Sequence, residues 1–343
     1  MKRILSIDGG GMRGILSVAI IEQMEKMTGR PAYELFDCFI GTSAGSLIAA
    51  GLAAGHSASA LKDQILALGK DLPAAMKKGG QGSSELLEQV AQELFGVDTL
   101  PCQARKRFAV VTRNTEIGKV VFFGNFPRDA VDTPSFWQGA SVDECADPIW
   151  QIVVRSAALP PFFAKSGAYL DGGVSPFANP TYAAYVGVQR RLGWNPYREA
   201  LKFFSVGTGY HNAVDDGDSH PSMVAMMMQD INFLQHQIMK RERDNGHIWY
   251  KRYNIGFTPE GFAKLGIPVS DPDQLNRLAG TASADLDGLQ ALGTLVGQKL
   301  VRPEDFGEWP QRPADRRRID KPVAKERRKN PGRAHSPIPG PTA

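Results

Sequence analysis

Two segments carry residue types and spacings that could do chemistry together: Gly41-Thr42-Ser43-Ala44-Gly45 and Asp8-Gly9-Gly10-Gly11-Met12-Arg13-Gly14. The first has the GxSxG spacing of a nucleophile elbow, a sharp strand-to-helix turn that holds a serine in a strained conformation with its hydroxyl presented. Side chains at Gly41 and Gly45 would collide across so tight a turn, and Ala44, Ser46, Ala49 and Ala50 are small enough to let the next helix approach a sheet. Ser43 then stands at a helix N-terminus, where the dipole favours developing negative charge and the Ala44 N–H is free to donate to an oxyanion. In the second segment Gly9, Gly11 and Gly14 also spell GxGxxG, a dinucleotide fingerprint. That use requires an acidic residue closing a second strand about 20 residues on, and Asp37 leads into the elbow instead. Successive glycine N–H groups at a helix start make a better oxyanion hole, an anion-binding concavity.

A serine hydroxyl needs a base, and the usual one is a histidine held by a carboxylate. The chain has six histidines, and the order Ser43, Asp171, then His211 or His247 suits such a triad. Against it, the hydrolase fold with that order places several strands before the elbow, whereas here one precedes it. None of the histidines sits in a tight motif of its own. Asp171-Gly172-Gly173 by itself reads as an ordinary Asp-Gly turn.

These residues must be positioned by elements readable in the hydrophobic pattern. Ile4 to Ile7 is a strand ending at the glycine loop, and Ile15 to Met27 continues with helical spacing. Phe36 to Ile40 reads as a second strand, Gly41 to Gly45 as its turn and Ser46 to Ala54 as a small-residue helix. Two strand-to-helix units in succession predict a parallel sheet and an α/β fold. Residues 56 to 105 read as helical and loop-rich, with Ser84 as an N-cap and a helix end near Gly96. Strands are expected over Arg107 to Thr112, Lys119 to Phe123, Leu201 to Val206 and Ile248 to Ile255, and helices over Pro148 to Ala158, Ser222 to Asp244 and Ala284 to Leu300. Asp171 is expected in a turn.

At 343 residues, 42% hydrophobic and 22% charged, the composition is that of a globular enzyme. The net charge of +4 conceals a basic tail: residues 312 to 333 hold ten Lys/Arg against three acids, a local +7, so the rest carries +4 − 7 = −3. With seven prolines from Pro310 to Pro341 and few apolar residues, 310–343 reads as a disordered extension of a 1–309 catalytic domain. The tail is read as solvated and inert, the alternative being a tether to anionic lipid or nucleic acid. Cys38, Cys102 and Cys145 are far apart without zinc-site spacing, so reduced thiols and no metal are expected. The N-terminal apolar run is too short for a signal peptide and no stretch of about 18 apolar residues occurs, which points to a cytoplasmic protein with at most peripheral membrane contact.

In block order, DGGGMRG at 8–14, GTSAG at 41–45 and DGG at 171–173 resemble the three signature blocks of the patatin-like phospholipase family. Ser156-Ala157-Ala158-Leu159-Pro160-Pro161-Phe162-Phe163 and Phe204-Ser205-Val206-Gly207-Thr208-Gly209 extend the agreement over roughly residues 3 to 300. The resemblance implies a three-layer patatin-like fold and a serine–aspartate dyad: Ser43 as nucleophile, Asp171 as its base, and no histidine or cofactor. It further implies that Gly10 and Gly11 donate to the oxyanion, that Arg13 braces the loop or meets a phosphate, and that Gly172 and Gly173 bring Asp171 close beneath Ser43. The function expected is release of fatty acid from phospholipid or lysophospholipid at a membrane surface. Small bacterial patatin-like enzymes include antiphage phospholipases switched on by a cyclic dinucleotide, which the Met-rich helix 222–243 and the run Trp249-Tyr250-Lys251-Arg252-Tyr253 would clamp, although core packing is the simpler use of both. A non-catalytic storage or binding protein is the third reading; no specific nucleic-acid partner is expected.

Overall fold

A computed structural model describes residues 1–127, 147–210, 220–269, 272–279 and 285–309, with backbone alone over 220–228 and at 272. It begins with β1 (Lys2–Ile7), α1 (Gly14–Thr28), α2 (Ala32–Leu35), β2 (Cys38–Thr42) and α3 (Ala44–Ala54). Next come α4 (Ala58–Met76), α5 (Gly79–Phe95), the hairpin β3 (Arg107–Asn114) and β4 (Lys119–Gly124), α6 (Ile149–Ser156), and the short β5 (Tyr169–Asp171). The remainder is α7 (Thr181–Arg191), β6 (Leu201–Val206), α8 (His220–Asp244), β7 (Trp249–Tyr253), α9 (Pro259–Lys264), α10 (Pro272–Ala279) and α11 (Leu286–Leu300).

One sheet organises these elements, in the order β4-β3-β2-β1-β6-β7, with β5 added beside β3. The pairs among β3, β2, β1, β6 and β7 are parallel, and β4 and β5 run antiparallel to β3. From β1 the chain moves one way to β2 and β3, and later the other way from β6 to β7. Right-handed crossovers therefore place α1 and α3 on one face and the α8 connection on the other. The packing agrees: α1 lies against α3, α4 and α11, whereas α7 lies on β1 and β6 and against α8. The result is the three-layer α/β arrangement expected.

The central strands are rich in apolar residues because both faces of the sheet are covered; β2 and β6 are buried at every position. Each large aliphatic side chain buried there contributes about 1.5–3 kcal/mol relative to exposure. Contact between α1 and α11 depends on Gly293 and Gly297, one turn apart: a Cβ at Gly293 would lie 2.6 Å from the Leu16 carbonyl oxygen, and one at Gly297 2.6 Å from Gln23 Cγ. α1 is thereby clamped against the sheet with its N-terminus beneath the glycine loop.

Three sequence expectations need correction. Ser84 does not cap a helix: α5 begins at Gly79, and the Ser84 hydroxyl inside it accepts from the Ala164 N–H (2.9 Å). Glycines at 79, 80 and 82 disguise the first turn as a loop, yet a Cβ at Gly82 would meet the Ala75 carbonyl at 2.7 Å, so close approach to α4 overrides helix propensity. Asp171 ends a strand rather than sitting within a turn, and the turn is the Gly172–Val174 segment that follows. Cys102 is disulfide-bonded rather than a free thiol, while Cys38 is free and buried; linear spacing does not report which Cβ atoms a fold brings within reach. The basic segment 310–343 and the Met223 to Met228 side chains lie outside the described residues. Among the described residues no helix is long and apolar enough to cross a membrane.

Candidate active site

Sheet register brings the chemistry-bearing segments together. Ile7 pairs with Gly41 on one side and with Val206 on the other, so β1, β2 and β6 end level. Their continuations, Asp8-Gly9-Gly10-Gly11, Ser43 and Gly207-Thr208-Gly209, therefore meet at the carboxyl edge where the chain reverses direction across the sheet. Parallel α/β sheets bind ligands at that point. Asp171 arrives by a second route. β4 occupies one edge of β3; on the other, β2 pairs as far as Thr42 with Val111, and β5 takes over with Asp171 opposite Thr112. Asp171 thus follows β2 in the sheet, in the direction in which Ser43 leaves it.

The outcome is a hydrogen bond of 2.6 Å from the Ser43 hydroxyl to Asp171 Oδ2, with both residues buried. Asp171 Oδ1 accepts from the Gly173 N–H (2.6 Å), which fixes the carboxylate plane. Gly172 is required by proximity, since a Cβ there would stand 2.2 Å from the Val111 carbonyl oxygen. Burial pushes the Asp171 carboxyl up to about 6, opposed by its bonds to Ser43 and Gly173. A carboxyl near 6 is a stronger base than an ordinary aspartate and is still ionised at neutral pH.

Ser43 has φ 55° and ψ −127°, the one non-glycine residue at positive φ among those described. Such a conformation costs on the order of 1–3 kcal/mol and must be over-determined by its surroundings. The Ser43 N–H donates to Ser156 Oγ (3.0 Å), whose hydroxyl donates to the Val111 carbonyl (2.6 Å). The Ser43 carbonyl accepts from the Ser46 N–H (2.8 Å) and hydroxyl (2.5 Å). Both elbow glycines are sterically forced: a Cβ at Gly41 would lie 2.0 Å from the Gly45 oxygen, and one at Gly45 2.4 Å from the Ile7 oxygen.

The glycine loop is held from behind. Thr208 donates its hydroxyl to the Gly9 carbonyl (2.9 Å), and a Cβ at Gly10 would fall 2.2 Å from Thr208 Oγ1. Arg252 forms a bidentate pair with Asp8, one arm at 2.9 Å, and donates to Ser205 Oγ (2.7 Å). Gly9 itself passes close to the elbow, where a Cβ would stand 3.2 Å from that of Ser43, and Gly14 lets α1 start against Ala44. The N–H groups of Gly10, Gly11 and Ala44 precede or open helical turns; they have no intrahelical acceptor and meet no other partner among the described residues. The Arg13 guanidinium donates to the carbonyls of Gly10 (3.4 Å) and Ala279 (3.2 Å), and burial lowers it to about 10. It braces the loop.

Ser43, Ala44, Asp171, the loop from Asp8 to Arg13, Thr208 and Arg252 line one cavity of about 1320 Å³. One lobe beside Ser43 is apolar, walled by Leu68, Leu72, Leu87, Val153 and Phe163 from α4, α5, α6 and the segment after it. The other is polar, with Asn254, Gln237, Tyr250 and Arg252 from β7, α8 and their flanks. The expected aromatic-basic clamp is divided by strand alternation. Lys251 is occupied by Asp305 and the Leu300 carbonyl, Trp249 packs on Phe204, and Tyr253 bonds Asp305.

No described histidine bonds Ser43 or Asp171. His247 pairs with Glu242 (2.8 Å), and His211 lies outside the described residues. His236 lines the polar lobe but is tied to the Tyr250 hydroxyl (2.7 Å); burial, then Arg252, Lys240 and Arg243, lower it to about 4. Sequence reasoning missed Ser156 and the Asp8–Arg252 pair as parts of the site. A carboxylate closing a buried strand was a signal that a cation must be found for Asp8, although not which one.

Comparison with known proteins gives a consistent picture. Residues 5–185, which contain Ser43 and Asp171, match the family model for patatin-like phospholipase. The chain is similar to a cUMP-AMP-activated phospholipase of Escherichia coli, 30% identical over 165 residues that cover 48% of this chain and 49% of that one. A cGAMP-activated phospholipase of Escherichia coli (strain TW11681) is 27% identical over 209 residues, 55% of this chain and 56% of that one. The 85/88 kDa calcium-independent phospholipase A2 of Mus musculus is 24% identical over 221 residues, 60% of this chain and 27% of that one. The chain thus spans about half the length of the two bacterial relatives and about a quarter of the mouse one.

Proposed function

Because the chain belongs to the patatin-like phospholipase family, we propose that it is a lipid acyl hydrolase that releases fatty acid from phospholipid or lysophospholipid through Ser43 and Asp171. The observation that carries the reading is the 2.6 Å bond from the strained Ser43 hydroxyl to a buried carboxylate, with no histidine interposed. Asp171 Oδ2 takes the hydroxyl proton as Ser43 Oγ bonds the acyl carbonyl carbon. The carbonyl oxygen becomes an oxyanion facing the Gly10, Gly11 and Ala44 N–H groups. As the tetrahedral adduct collapses, the C–O bond to the glycerol side breaks and the leaving alkoxide takes the proton back from Asp171. Water then attacks the acyl-Ser43 ester, giving up a proton to Asp171, and the second collapse returns it to Ser43 with release of fatty acid.

A lone carboxylate is a weak base for a hydroxyl, so the rate rests on the raised pKa, the exclusion of water and donors fixed before the charge forms. The apolar lobe suits an acyl chain. The test is free fatty acid release from mixed micelles, followed by mass spectrometry, for the parent chain and Ser43→Ala; release that survives the substitution would overturn the reading.

A second reading concerns control. The names of two relatives describe activation by cyclic nucleotides, and the polar lobe, edged by Tyr250 and Arg252, supports a similar ligand beside the acyl lobe. Fatty acid release would be assayed with and without a panel of cyclic dinucleotides; no stimulation by any member would remove this reading and leave the first intact. A storage role is disfavoured because simple binding does not require strain at Ser43.

A further inference from the structure

Isolated exposed apolar side chains are ordinary on protein surfaces. On α8 two stand together: Phe233 is 64% exposed and Leu234 56%, while Gln235 and Met239 turn inward. At 100° per residue they share a face with Gln237, Lys240 and Arg241, so the stripe begins apolar and becomes basic two turns later. Asp230 is exposed at its N-terminal end, and Asp244 at its far end is paired with Arg243. Phe233 also lines the cavity that contains Ser43, as does Tyr210, which is 44% exposed. An aromatic ring that is largely exposed and yet walls the cavity stands at its mouth.

We propose that this stripe docks the chain on an anionic lipid surface, with Phe233 and Leu234 entering the headgroup–acyl boundary and Lys240 and Arg241 meeting lipid phosphates. The proposal rests on the acyl hydrolase reading above. A phospholipid must leave its bilayer to reach Ser43, and an apolar rim continuous with the cavity lets its chains pass without crossing water. Apolar side chains beside cations on one helix face are what an interfacial helix presents to a membrane. The cations select anionic lipid, each worth about fivefold in partition near such a surface.

The test uses full-length chain carrying Ser43→Ala, so that binding is read without turnover, with sedimented vesicles of phosphatidylcholine alone or containing phosphatidylglycerol. Binding is expected to the anionic vesicles, to fall at least about tenfold for Phe233→Ser/Leu234→Ser, and to lose its preference for anionic lipid in Lys240→Glu/Arg241→Glu. In the chain that retains Ser43, Leu234→Asp should leave hydrolysis of a water-soluble short-chain ester unchanged while lowering vesicle binding. Vesicle binding equal to the parent's in the Phe233→Ser/Leu234→Ser variant would overturn the proposal. So would light scattering that shows a dimer dispersed by those substitutions, because the stripe would then be a protein interface. Soluble-ester hydrolysis by the parent chain tests the underlying reading separately, and either result can fail without the other.

Discussion

Asparagine at position 171 isolates the charge of the carboxylate from its shape. The amide oxygen still accepts from the Gly173 N–H, and the amide nitrogen can donate to Ser43 Oγ where the carboxylate now accepts. What disappears is an ionised group that burial holds at about 6 instead of 3.8. At 1.36 kcal/mol per pH unit, that displacement destabilises the folded chain by about 3 kcal/mol once the group is ionised in both states. The sign follows from proton binding. Below 3.8 the group is protonated folded and unfolded, with no penalty; between 3.8 and about 6 the folded state holds more protons, so its relative stability falls as pH rises. Asp171→Asn should therefore stabilise by about 3 kcal/mol at pH 8 and about 1.6 kcal/mol at pH 5. At about 2 °C per kcal/mol for a chain of this size, calorimetry should record a Tm raised by about 6 °C and 3 °C respectively. Turnover should fall by about 10³-fold or more because an amide cannot take the proton. In the parent enzyme kcat/KM should rise tenfold per pH unit up to about 6 and then level, as the free carboxylate is the active form. A variant less stable than the parent at pH 8, or one retaining a tenth of its activity, would refute the reasoning.

Other perturbations probe the supports. Gly10→Ala places a methyl 2.2 Å from Thr208 Oγ1 and must displace the loop, so kcat should drop by about 10²–10³ with KM within a few-fold, read by steady-state kinetics. Arg252→Met leaves the Asp8 carboxylate buried without its cation and should lower stability in urea by about 3–5 kcal/mol, whereas Asp8→Asn/Arg252→Met should lose less than that single change. Leu72→Trp fills the apolar lobe, and the preference in kcat/KM for a sixteen-carbon over an eight-carbon ester should fall by about tenfold.

Much of this site was legible because its constraints are local. A turn in which a Cβ at Gly41 would lie 2.0 Å from the Gly45 oxygen leaves glycine as the residue that fits at both ends, so the pattern survives in one dimension. The same holds for Asp171-Gly172-Gly173, where Gly172 lies against β3. Strands such as β1 to β4 were readable because burial on both faces leaves each a short run of apolar residues, Ile4-Leu5, Phe39-Ile40, Phe108 to Val111 and Val120 to Phe123 among them. What escaped is non-local or weakly patterned. Asp8 and Arg252 are 244 residues apart and meet through the β1–β6–β7 register. α7 mixes small, aromatic and charged residues in a way that shows no clean stripe, and α5 opens on glycines that local propensity assigns to a loop. Ser156 looked like one more small residue in its segment, since its role depends on β3 lying behind it.

The central claim is that Ser43 is activated by Asp171 and by no histidine. A fluorophosphonate probe, which reports an activated serine without presuming a substrate, tests it most directly when followed by peptide mapping. The account predicts labelling at Ser43 in the parent chain, loss of at least about 10³-fold in labelling rate for Asp171→Asn, and rates within a few-fold of the parent for each single histidine substitution. Labelling at another serine, labelling that persists in Asp171→Asn, or labelling abolished by replacing one histidine would contradict it.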